Sequence, residues 1–133
     1  MTQATGTFNV QMAPQATDDG PPGSTLGRLS VAKQLQGDLE ATGRGEMLTA
    51  MTAVKGSAGY VAIERITGTL HGRTGSFVLL HRGIMTGGAQ ELSITIVPDS
   101  GTGELIGLSG TLAIKIVDGQ HSYVLDYSIG VGS

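Results

Sequence analysis

Two carboxylates stand where carboxylates are scarce. Glu64 lies in the run AIERI and Asp126 in VLDYS. Both runs read as mid-strand, where acids are depleted. A carboxylate held in such a place is paired with a cation or has its pKa raised. The raised case makes a general acid or base inside the fold. The plainer case is a carboxylate on the outer face, or one salt-bridged to Arg65, Arg73 or Lys33. His81 sits among apolar residues in FVLLHRG and is the natural proton partner. Its plainer reading is a histidine that is simply hydrogen-bonded in the interior. Phase weighs against the two acids sharing a face. Glu64 runs with Tyr60, Ile66 and Leu70, whereas Asp126 opposes Tyr123, Leu125 and Tyr127.

Other chemistry is poorly served. His71, His81 and His121 match the histidine count of a catalytic zinc site, but their spacings are long. No metal and no cofactor are expected. GTGELIG (101–107) lacks the G-x-G-x-x-G spacing and precedes a strand, whereas phosphate loops open a helix. GLSG (107–110) is not a nucleophile elbow. Aspartate-dependent hydrolysis, including peptidase activity, has Asp126 as its one natural candidate. The usual two-carboxylate signature is missing, and the single PDSG at Asp99 reads as a turn.

Composition narrows the classes further. The chain has no cysteine, which removes thiolate chemistry and disulfides. The formal net charge is -3 and the eight Lys and Arg are scattered, so no basic stripe awaits nucleic acid. Aromatics are 4%, too few for base-stacking platforms. No run approaches the ~18 apolar residues of a membrane helix. Residues 1–10 show neither a basic nor an apolar signal region. A cytoplasmic location, with no membrane or nucleic-acid partner, is the expectation.

The elements that must position these residues are strands. Glycine is 22 of 133 residues and falls between short apolar stretches, the pattern of many turns joining many strands. Phe8, Val10 and Met12 alternate with polar neighbours. Residues 13–25, with three of the four prolines, read as a surface loop. Strands follow at 26–35, 60–70, 76–82, 91–97, 105–117 and 121–129, the last two joined by an Asp118-Gly119 hairpin turn. Residues 46–54 fit either a strand or a helical stripe, and their neighbours favour strand. The sum is one all-β domain over 1–133: about eight strands in meander order. A closed antiparallel barrel is the economical arrangement, with a two-sheet sandwich as the alternative.

GTFNV, the K-x-x-x-GDLEA segment (33–41), AGYVAIERITGTLHGRTGSFVLLHRG (58–83), VPDSGTGELIGLSG (97–110) and DGQHSYVLDYSI (118–129) together resemble a bacterial family of small proteins of unknown function. The resemblance covers nearly the whole chain. It implies a lipocalin-like barrel similar to that of the allene oxide cyclases, commonly a homodimer or higher homo-oligomer. It implies no reaction. The residues that fit the family pattern include Asp38, Tyr60, Glu64, Gly72, Arg73, Phe77, His81, His121, Tyr123, Asp126 and Tyr127. The chain departs from the pattern at QMAPQ (11–15), where a Trp with a nearby acid is usual, and at Leu80, where Gln is common.

The expected function is a small-molecule site in the barrel mouth, for a hydrophobic or anionic ligand, as a carrier or an isomerase/cyclase. Glu64, His81 and Asp126 would supply acid–base chemistry. Tyr60, Arg73, Phe77 and Tyr123 would hold the ligand, with Arg73 on an anionic group. A non-catalytic structural or oligomerisation domain is the second reading, and the Asp126 hydrolase the third.

Overall fold

Period-two alternation becomes inside and outside, strand by strand. The computed structural model describes residues 1–130. Eight strands follow one another: β1 (Thr2–Asp19), β2 (Ser24–Gly37), β3 (Leu39–Thr52), β4 (Ala58–Leu70), β5 (Arg73–Thr86), β6 (Ala89–Ile96), β7 (Leu108–Val117) and β8 (Gln120–Ile129). Each pairs antiparallel with the next, and β8 pairs with β1 to close the barrel. Closure covers part of the sheet edge that an open eight-strand meander would expose. No helix among the described residues is long and apolar enough to cross a membrane.

Two segments differ from or resolve the sequence expectations. Residues 13–19 continue β1, so the loop expected over 13–25 shrinks to a tip at 20–23. Strand β8 pairs with β1 only from Thr2 to Phe8, so the distal half of β1 is a sheet edge. Pro14 is tolerated on such an edge and coincides with a register shift between Pro14 and Ala16. Residues 46–52 belong to β3, and 46–51 pair with both β2 and β4. Two ladders of backbone hydrogen bonds hold this stretch as strand despite its helical spacing.

The barrel has unlike ends. At one end lie the β2–β3 and β4–β5 turns and the long β6–β7 connection. There Leu39, Ile66, Leu70, Phe77, Leu79, Ile96, Leu105, Leu108 and Leu125 are buried in one cluster. Leu105 comes from a short 3-10 turn, Gly103–Leu105, which seals that end like a plug. Burying each such side chain contributes roughly 1.5–3 kcal/mol. At the other end, the four tight hairpins surround an opening. Strands β1 and β2 extend past β8 there, because β8 pairs with β1 only as far as Phe8 while the register of β1 with β2 runs on to Asp19–Thr25.

Candidate functional site

Three charged or titratable groups meet inside the open half. The Lys33 ammonium donates a hydrogen bond to Glu64 Oε1 at 2.7 Å. His81 Nε2 lies 2.6 Å from the same oxygen. Glu64 is 2% exposed and His81 6%. The alternation of β2, β4 and β5 turns all three inward, in phase with Val31, Ile66 and Leu79.

Lys33 and Glu64 are not on neighbouring strands. Strand β3 lies between them, pairing Gly43 with Lys33 and Gly45 with Glu64. Both glycines face inward, and neither has a side chain to stand in the way. A Cβ on Gly43 would come within 3.2 Å of Glu64 Oε2, and one on Gly45 within 2.7 Å of Glu64 Cβ. The sequence TGRG (42–45) therefore opens a window across which the ion pair forms. Glycine inside a strand marks this kind of close approach.

Burial pushes the Glu64 carboxyl upward, but the His81 hydrogen bond and the Lys33 charge outweigh it. They hold Glu64 below the usual carboxylate range. An ionised carboxylate only accepts hydrogen bonds. His81 Nε2 therefore carries the hydrogen and donates it to Glu64, so that whenever the ring is neutral Nδ1 is its acceptor. No described group bonds to Nδ1, and it is not among the buried unpaired atoms. Glu64 Oε2 is the one buried side-chain oxygen or nitrogen without a hydrogen-bond partner among the described residues. Lys33 also lies 5.0 Å from the Phe8 ring centroid, a cation–π contact that holds its stem against the wall.

The cluster forms the polar floor of a cavity of about 380 Å³. The remaining wall is largely apolar: Phe8, Val10 and Met12 from β1, Val31 from β2, Met47 from β3, Leu92 from β6, and Ile114 and Ile116 from β7. His121 joins the wall, its ring 5.1 Å from that of Phe8. Tyr60 stands on the wall near the mouth, where burial and then the Glu64 charge raise its phenol pKa. Its ring lies over Gly83: a Cβ there would sit 2.2 Å from Tyr60 Cε1.

Of the residues singled out from sequence, Glu64, His81 and Tyr60 come together around this cavity. Lys33 and His121 line it as well, and the rest lie elsewhere. Asp126 points to the outer face of β8, between the buried Leu125 and Tyr127, so it does not meet Glu64 or His81. Arg73 is exposed at the β4–β5 turn, at the plugged end. Phe77 is buried in the apolar cluster. Tyr123 faces inward but deep in the plugged half. Its hydroxyl accepts a hydrogen bond from Leu39 N at 3.0 Å and lies 3.0 Å from the Gln36 carbonyl. Tyr127 hydrogen-bonds His71 Nδ1, and His71 Nε2 lies 3.5 Å from Asp38, tying the β2–β3 and β4–β5 turns to β8. The Thr5 backbone N–H holds the Asp38 carboxyl below its usual pKa. His71 lies apart from His81 and His121, and no metal-holding group of His, Cys, Asp or Glu occurs among the described residues.

Sequence reasoning left Lys33 as one of three cations for Glu64. It gave no role to Gly43, Gly45, Gly83, Met12 or Met47. The available signal was a G-x-G inside a strand, beside a lysine in phase with apolar residues.

A family model described as "Protein of unknown function (DUF3224)" matches residues 4–127. No curated protein matches the chain. A crystal structure of a DUF3224 protein of unknown function from Shewanella oneidensis MR-1 superposes with a TM-score of 0.94. The two chains are 53% identical, over 98% of this chain and 99% of that one. With the family model and a full-length relative in agreement, the chain belongs to the DUF3224 family of proteins of unknown function.

Proposed function

We propose that the barrel binds a small molecule with an apolar body and one hydrogen-bond-accepting or anionic head. The observation that carries this reading is a one-ended apolar cavity with a buried Lys33–Glu64–His81 cluster on its floor. A volume of about 380 Å³ falls in the range of small-molecule sites. The apolar body would replace water along Phe8, Val10, Ile114 and Leu92. Lys33 has three N–H donors and gives one to Glu64, which leaves two for the head. Tyr60, kept protonated, is a further donor near the mouth. Arg73, Phe77, Tyr123 and Asp126 have no part in this reading.

The test is displacement of an environment-sensitive naphthalene-sulfonate dye by medium-chain fatty acids and methyl ketones, with thermal shift alongside. Wild type should bind the dye and release it to these ligands. Lys33→Met should weaken ligand binding at least tenfold, whereas Asp126→Asn should leave it unchanged. Absence of dye and ligand binding by the folded wild type would overturn the reading.

Self-association is a second, compatible reading. Leu48, Val61, Ile63 and Leu80 are exposed in adjacent register on the outer face of β3, β4 and β5. They line a hollow of about 560 Å³ that would receive the same face of a second copy. Light scattering should then give a dimer for wild type and a monomer for Ile63→Lys. A wild-type monomer at high concentration would refute it.

A further inference from the structure

Binding alone does not call for a buried ion pair shared with an imidazole. Taking charges out of water is costly, and a hydrophobic replacement is often as stable or more so. The cluster nevertheless places two groups of complementary reactivity on one oxygen. Lys33 Nζ and His81 Nε2 both lie within hydrogen-bond distance of Glu64 Oε1. The carboxylate fixes the tautomer of His81 and leaves Nδ1 as a base, while the ammonium offers its unused N–H groups. A base and an oxyanion donor held side by side in a largely apolar cavity are the two groups that proton abstraction next to a carbonyl requires. Glycines 43 and 45 keep the cation within reach of the carboxylate that orients the base.

We propose that the cavity catalyses a 1,3-proton shift in an apolar β,γ-unsaturated ketone, with His81 as the proton carrier and Lys33 as the oxyanion donor. The proposal rests on the small-molecule reading of the same cavity. The carbonyl oxygen accepts a hydrogen bond from the Lys33 ammonium. His81 Nδ1 removes the proton from the carbon between the carbonyl and the alkene. The C–H electron pair becomes a new C=C bond, and the carbonyl π pair moves to oxygen against Lys33. The imidazolium then returns the proton to the γ-carbon as the dienolate collapses to the conjugated enone. Substrate and product are isomers, so no oxidant, reductant or cofactor enters. Glu64 stays ionised throughout and is a positioning residue. The apolar wall excludes water that would compete for the base.

The probe is a straight-chain β,γ-unsaturated methyl ketone. Two readouts are followed: ultraviolet absorbance of the conjugated product, and deuterium incorporation from D2O by NMR. Dye displacement reports binding separately. Wild type should conjugate the ketone faster than buffer or heat-denatured protein does. His81→Ala should lose roughly a hundredfold or more of the rate while still releasing dye to the ketone. Added imidazole should restore part of that rate, which a merely structural role for His81 would not allow. His81→Gln, which keeps an amide donor for Glu64, serves if the alanine variant does not fold. Lys33→Met should lose turnover as well. Ketone that displaces the dye from wild type without conjugation or exchange would overturn the catalytic inference and leave the binding reading standing. Unchanged turnover in a folded His81 variant would do the same. A wild type that binds neither dye nor ketone would overturn both.

Discussion

Glu64→Gln is the sharpest probe of the cluster's energetics. The change keeps shape and volume but removes the charge that balances Lys33 and accepts from His81. Lys33 has a side chain only 9% exposed, so it cannot turn to water without moving. Removing one partner of a buried pair costs about 3 kcal/mol at the low end of the usual range. With roughly 2.1 cal/mol/K of unfolding entropy per residue over 133 residues, Tm should fall by about 11 °C near neutral pH. The pH dependence carries a sign. The folded pKa of Glu64 lies below its ordinary value of 4.5. Its ionised form therefore stabilises the fold fully above that value, and the stabilisation is lost as pH falls through the folded pKa. Groups remote from the cluster are common to both proteins, so the difference between wild type and variant isolates the Lys33–Glu64–His81 cluster. Thermal melts followed by circular dichroism from neutral pH down into acid should show a gap that closes on acidification. A gap under ~2 °C at neutral pH, or one that persists unchanged in acid, would refute the reasoning.

Two further variants separate the ends of the barrel. Tyr123→Phe leaves the buried Leu39 N–H without its acceptor, which should cost about 1–3 kcal/mol in urea unfolding and leave dye affinity untouched. Weaker dye binding at wild-type stability would return Tyr123 to the ligand site. Gly83→Ala drives a Cβ into the Tyr60 ring, so the ring must swing into the mouth. Dye affinity should drop, with a stability loss of about 1–3 kcal/mol from overpacking, and unchanged binding would show that the mouth is open without Tyr60.

The architecture was legible because its signals are local. Alternation over Glu91–Val97 and 121–129, and a turn such as Asp118-Gly119, each act within a few residues. Alternation also grouped the faces, with Glu64 in phase with Tyr60 and Ile66 and Asp126 opposed to its buried neighbours, but it left open which face turned inward. Alternation does not give depth. Phe77 and Tyr123 face inward as surely as Tyr60 does, yet they lie in the plugged half, which depends on strand stagger and on the β6–β7 plug. The Lys33 partnership was one option of three because it spans a third strand. Only the full register of β2, β3 and β4 shows that two glycines lie between the charges. Pro14 misled in the other direction, since its tolerance depends on where β8 stops pairing with β1.

The unlike ends of the barrel divide its labour. Plug and apolar cluster, built on Leu105, Leu39, Phe77 and the Tyr123 hydroxyl, carry the packing that keeps the chain folded. The hairpins and the distal halves of β1 to β5 bear little of that load. Substitutions at Met12, Met47, Leu92 or Ile116 would then reshape the chamber at small thermodynamic risk. On the proposed small-molecule reading, such a scaffold would exchange one ligand for another through a few side chains while the backbone stays superimposable.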